Sequence, residues 1–184
     1  MDHLLSWLVF IPLIAAAIML VVPQSQGHLY KWVALAALGV VTILSVVLVC
    51  SFDKSVGGYG VDSLQFTQQL DWINLNVGSF GSLLIQYYIG VDGLSLALVL
   101  LSAIVLFIGV ISSWNIKQNI KGYFLLYMVL STSVIGCFVA LDFFLFYLFF
   151  EFMLLPMYFL IGIWGGKRRA YASIKFFIYT LVGS

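Results

Sequence analysis

Charge is scarce in this chain: 8 Lys or Arg and 7 Asp or Glu in 184 residues, for a net charge of +1. So little basic character leaves no electrostatic footprint for nucleic acid. Cysteine is scarcer still. The two present, Cys50 and Cys137, sit in separate apolar stretches, without the spacing that zinc or an iron–sulfur cluster needs. No metal site is expected, and no flavin or nucleotide motif is visible. The long loops of a soluble domain are missing too, apart from one segment over 51–92.

Apolar residues fill the space left by charge. Hydrophobic residues make up 64% of the chain and aromatic residues 17%, a composition that describes an all-α polytopic membrane protein. Hydropathy predicts five full transmembrane helices, over 4–22, 29–50, 93–113, 123–140 and 143–164, and an incomplete sixth from 170 to the end, too short to span. The first run is longer than a signal-peptide core and follows Asp2 rather than Lys or Arg, so it reads as a retained span. Lys31, Lys117, Lys121, Lys167, Arg168 and Arg169 fall on alternate turns, whereas the other side carries only Lys54. The positive-inside rule then places the N-terminus and the 51–92 loop outward.

That loop opens with Gly57, Gly58 and Gly60 and contains two β-branched, aromatic and polar stretches, 63–70 and 82–89. Asn74, Asn76, Gly78 and Gly81 lie between them. The pattern suggests a short hairpin with a long turn, or an irregular surface loop.

Within the apolar background, Glu151 stands out in the run 143–164. Nine residues separate it from Asp142, about 13 Å of helix, which puts it near the middle of a hydrocarbon layer about 30 Å thick. Hydrocarbon penalises a carboxylate relative to the protonated acid, so a carboxyl at this depth suits the uptake and release of a proton. The plainer reading is a glutamate that hydrogen-bonds across a helix interface. Tyr147 and Tyr158 share its helix face. Pro156 withholds an amide from the Phe152 carbonyl, leaving an acceptor one turn away that could bind water.

Lys175 is the second charge inside an apolar segment, six residues past Arg169. At about 9 Å inward it sits about 10 Å from the level of Glu151, an axial distance that disfavours a direct ion pair, although water or a third residue could connect the two. Tyr171, Lys175 and Tyr179 repeat along one face, although the lysine could instead snorkel to the surface. Ser95, Ser102 and Gly109 form a small-residue face suited to close helix packing. Ser131, Thr132 and Ser133 either satisfy backbone groups or contact water beside Glu151.

GVDGLSL at 90–96, FFEFMLLPMYFLIGIWG at 149–165 and KFFIYT at 175–180 resemble the antiporter-like membrane subunits of proton-pumping NADH:quinone oxidoreductase, respiratory complex I, and most of all its subunit M. The resemblance implies a subunit of that enzyme, a translocase, which couples quinone reduction elsewhere in the complex to proton transfer through Glu151. Lys175 matches a helix-six lysine of the same motif, which the resemblance implies as a second proton-transfer residue beside Glu151. NADH, FMN, iron–sulfur clusters and quinone would be held by partner subunits and none by this chain. Its partners would be the other complex I membrane subunits, above all neighbouring antiporter-like ones, and the lipid bilayer. Residues 1–184 would be a single transmembrane domain, the N-terminal part of a larger subunit in the bacterial inner (plasma) membrane. The family's later lysines have no counterpart here, so the fragment alone is expected to pump nothing. Multisubunit cation/proton antiporters share the GVDGLSL-like helix start and the helix-five glutamate, and are the alternative.

Overall fold

A computed structural model describes residues 3–23, 27–53, 64–76 and 82–184. In chain order it contains α1 (Leu4–Val21), α2 (Gly27–Ser51), β1 (Gln65–Asn76), β2 (Ser82–Val91), α3 (Gly93–Ser112), a 3-10 turn (Ser113–Asn115), α4 (Ile120–Val139), α5 (Phe143–Trp164) and α6 (Arg169–Gly183). Five of the helices, α1 to α5, are long and apolar enough to cross a membrane. With 15 residues, about 22 Å, α6 falls short of a full span. The predicted helix ends agree to within about three residues, as expected of hydropathy-based boundaries. Asp2, Lys54, Gly57, Gly58, Gly60, Ser63, Gly78 and Gly81 lie outside the described residues.

The starts of α3 and α5 are set by polar side chains that supply the acceptors a first turn lacks. The Asp92 carboxylate accepts from Ser95 N at 2.7 Å while Ser95 Oγ accepts from Asp92 N at 2.9 Å, a reciprocal box that starts α3. Asp142 accepts from Leu145 N at 2.9 Å to start α5. Ser95 is therefore committed to a cap rather than to the small-residue face read from the sequence. Its hydroxyl and the adjacent amides hold the Asp92 carboxyl below the ordinary carboxylate range. A carboxylate lowered in the folded state contributes stability that is full above its unfolded value and is lost as pH falls through its folded value. Asp92→Asn is accordingly expected to lower the Tm at neutral pH and to flatten its acid dependence, as measured by thermal unfolding of the purified protein across pH 3 to 7 (about the window in which carboxylates titrate).

The helices pack α1 on α4, α4 on α5, α2 on α3 and α5 on α6. α4 lies at the centre, with Phe124, Met128 and Ile135 fully buried. Its Ser131, Thr132 and Ser133 are also buried and donate to the carbonyls of Tyr127, Met128 and Val129, one turn back. These hydroxyls thus satisfy backbone groups, the first of the two sequence readings. Glycine permits the closest approaches. At Gly109 the Tyr127 hydroxyl occupies the place of a side chain and donates to Leu106 O at 3.0 Å. At Gly136 the ring of Phe149 does the same.

The hairpin forms, and it is longer than the sequence suggested. β1 and β2 pair antiparallel from Gln65↔Val91 to Asn76↔Ser82, with irregularities between Gln65 and Gln68 and between Asp71 and Ile73. Asn74 and Asn76, read as turn residues, lie in β1 and pair with Leu84 and Ser82. Pairing overrides their weak strand propensity. At the first irregularity Phe66 takes a φ of 56°, a left-handed conformation uncommon for a bulky residue and at home in a bulge.

The hairpin caps one end of the bundle. Ile85, Ile89 and Val91 are buried; Ile89 bridges to Ala140, and Leu141 N donates to Tyr88 O at 2.9 Å. Ser6 of α1 donates to Gln68 and lies 3.3 Å from the Tyr87 hydroxyl. Burial pushes the Tyr87 phenol up. At the opposite end, lysines cap helix C-termini. Lys31 donates to Trp114 O at 2.6 Å and Lys121 to Leu20 O and Val22 O, each at 2.9 Å. Trp164 Nε1 donates to Gln118 O at 2.8 Å. The three basic turns read from the sequence therefore share one end, and among the described residues no acidic side chain joins them.

Candidate functional site: an intramembrane carboxylate

α5 runs without interruption from its Asp142 cap to Trp164 and carries Pro156 buried inside it. Its 22 residues span about 33 Å, which keeps Glu151 about 13 Å from the hairpin end and about 20 Å from the other. Glu151 therefore lies in the interior of the helix as folded, well away from both ends.

Glu151 is half-buried and its Oε1 accepts from Ser184 Oγ at 2.7 Å. One turn to either side, Tyr147 is 42% and Leu155 51% exposed, so the carboxyl stands on a stripe that faces away from α4. Tyr158, predicted on the same stripe, instead meets Phe177 of α6 with ring centroids 5.5 Å apart. The hydroxyl-bearing stripe thus runs from an exposed Tyr147, through Glu151 met by the end of α6, to Tyr158 packed on α6.

Lys175 is exposed. Its ammonium lies 5.8 Å from the Tyr171 ring and 5.6 Å from the Tyr179 ring, so the face predicted from the repeat is present as a cation held between two aromatic rings. Among the described residues Glu151 and Lys175 share no ion pair. The Ser184 contact brings the far end of α6 to Glu151. Nine residues of helix back to Lys175 correspond to about 13 Å, slightly more than the offset expected from hydropathy. Sequence reasoning did not assign the Asp92, Asp142, Lys31 and Lys121 caps. A polar residue directly before an apolar run, and a lysine beside a helix end, were the available signals.

Fold and site together define a multi-span helical membrane protein with, among the described residues, one carboxyl in the interior of an apolar helix. Residues 140–184 match the family described as NADH:quinone oxidoreductase/Mrp antiporter, TM. The whole chain is similar to NADH-quinone oxidoreductase subunit M of Rhodobacter capsulatus, 42% identical over 188 residues, covering 100% of this chain and 34% of that one. It is likewise similar to the chloroplastic NAD(P)H-quinone oxidoreductase chain 4 of Chlorokybus atmophyticus, 33% identical over 98% of this chain and 34% of that protein. Among solved structures, a chain in respiratory complex I from Thermus thermophilus with bound NADH shares the fold with a TM-score of 0.74 at 23% identity, over 97% of this chain and 33% of that one. The resemblance read from the motifs is thus found along the entire sequence. The chain spans about a third of the length of the relatives it matches.

Proposed function

We propose that this chain is part of a proton-translocating membrane subunit of NADH:quinone oxidoreductase and that Glu151 is its proton carrier. The observation that carries the reading is the carboxyl itself, half-buried in mid-helix on a stripe that faces away from α4 and is met by the end of α6. A charged group on such a face cannot be left to lipid, so it is covered by protein or by a hydrated path. Similarity to proteins named as subunit M over the whole chain supports the redox-linked enzyme over a multisubunit cation/proton antiporter. We further read residues 1–184 as one transmembrane domain of a larger subunit, with the hairpin outward and the basic end cytoplasmic in a bacterial inner membrane. Electron carriers, NADH and quinone then belong to partner subunits.

Lys175 supplies charge at a distance in this scheme. About 13 Å of helix separates the two levels, so the lysine acts on Glu151 through its charge and not by direct contact. Lys175→Ala in the full-length subunit is expected to slow proton export several-fold, and Lys175→Arg to restore it. Normal export in the alanine variant would leave the lysine only a surface anchor.

Two measurements test the assignment. The full-length protein should co-purify with flavin- and iron–sulfur-containing subunits; assembly with antiporter subunits alone would favour the alternative. Residues 1–184 expressed alone should give no NADH-driven proton uptake in sealed vesicles.

A further inference from the structure

The C-terminal half of α5 and the N-terminal half of α6 enclose a cleft that the proton-carrier reading does not use. Phe159, Gly162 and Ile163 line one wall and Ala170, Ser173 and Ile174 the other. The walls come together at Gly162, where a Cβ would lie at contact distance, 3.4 Å, from Ser173 Oγ. The Tyr158 ring, packed on Phe177, also lines the cleft. The turn from α5 into α6, between the lining residues Ile163 and Ala170, carries Lys167, Arg168 and Arg169 in succession, all exposed.

Arg169 ties the cations to the cleft. Its Nη1 donates to Ile163 O at 2.6 Å, which caps α5 and holds the guanidinium beside a lining residue, with further N–H groups left over. α6 begins at Arg168 without a side-chain cap, so the positive end of its dipole points the same way. An apolar slot beside three cations, with no acidic side chain at this end among the described residues, is complementary to one kind of molecule: an amphiphile with an anionic head and an apolar tail.

We infer that this cleft seats one acyl chain of an anionic phospholipid, whose phosphate rests on Lys167, Arg168 and Arg169. The site depends on the chain lying in a bilayer with its basic end at one surface, and not on any role for Glu151. Basic clusters at the ends of membrane helices attract anionic headgroups, with each cation near the surface worth about a fivefold preference.

The test uses the full-length subunit in the assembled complex, reconstituted into nanodiscs that contain phosphatidylglycerol or phosphatidylcholine with a photoactivatable group in the acyl chain. After illumination, peptide mapping is expected to find phosphatidylglycerol attached around Phe159, Ile163 and Ile174 at least about fivefold more than phosphatidylcholine. Arg168→Gln and Lys167→Gln, made singly to preserve topology, should each reduce that excess by about fivefold. Ala170→Phe, which adds bulk to the cleft lining without changing charge, should remove labelling by both lipids. Equal labelling by the two lipids in the unaltered protein, or an excess that survives both charge substitutions, overturns the proposal. So does attachment of another protein segment in place of lipid, which would show that protein covers the cleft.

Discussion

Glu151→Gln in the full-length subunit is expected to abolish proton transfer through it while the complex still assembles. Glutamine matches glutamate in volume and can still hydrogen-bond the Ser184 hydroxyl that lies 2.7 Å away, so the packing of α5 and α6 is preserved. The amide cannot take up or release a proton near neutral pH. Proton transfer by a positioned side chain is commonly worth about 10²- to 10⁴-fold, so the route through this subunit should fall to background. The readout is protons exported per NADH oxidised in sealed vesicles, with electron transfer followed in the same preparation. Glu151→Asp, which keeps the carboxyl but withdraws it by one methylene, should retain part of the activity. An assembled Glu151→Gln complex that exports protons normally would remove the carrier role and leave Glu151 a packing group.

Gly136→Val is expected to have the largest effect on stability. A Cβ added at Gly136 would lie 2.5 to 2.6 Å from the Phe149 ring, and that ring is only 9% exposed. Neither can withdraw cheaply: Gly136 belongs to the central helix, and Phe149 is two residues before Glu151 on α5. Overpacking of this kind costs about 1–3 kcal/mol, and a β-branched side chain adds bulk beyond the Cβ. The expected result is a lower Tm of the purified complex, or loss of assembled complex from the membrane, with Gly136→Ala intermediate. Phe149→Ala combined with Gly136→Val should recover much of the loss by vacating the space. A neutral Gly136→Val would show that α4 and α5 need not approach so closely.

The two results report on different properties. Glu151→Gln leaves shape and removes a protonation reaction; Gly136→Val leaves every titratable group and moves the helix that carries the carboxyl. A fall in proton export with Gly136→Val in complexes that do assemble would mean that the position of α5, set by its contact with α4, governs the function of Glu151.

The helices, their order and the shared end of the basic turns were legible in the sequence. A span is a local property: it needs an unbroken apolar run of sufficient length, and the 1.5 Å rise per residue turns that count into depth. The position of Glu151 along its helix follows from the same arithmetic, as does its offset from Lys175. What the tertiary structure alone decided concerns which faces meet. The hairpin includes Asn74 and Asn76 because strand ends are set by the partner strand, which no local pattern encodes. Ser131, Thr132 and Ser133 turned inward to their own helix, and Ser95 went to a cap. The end of α6 at Glu151, the covered Tyr158 and the contact of Gly136 with Phe149 depend on pairs far apart in the chain. In helices apolar on nearly every side, hydrophobic periodicity does not distinguish a face toward lipid from a face toward protein, so the surroundings of Glu151 emerge only when the helices are packed.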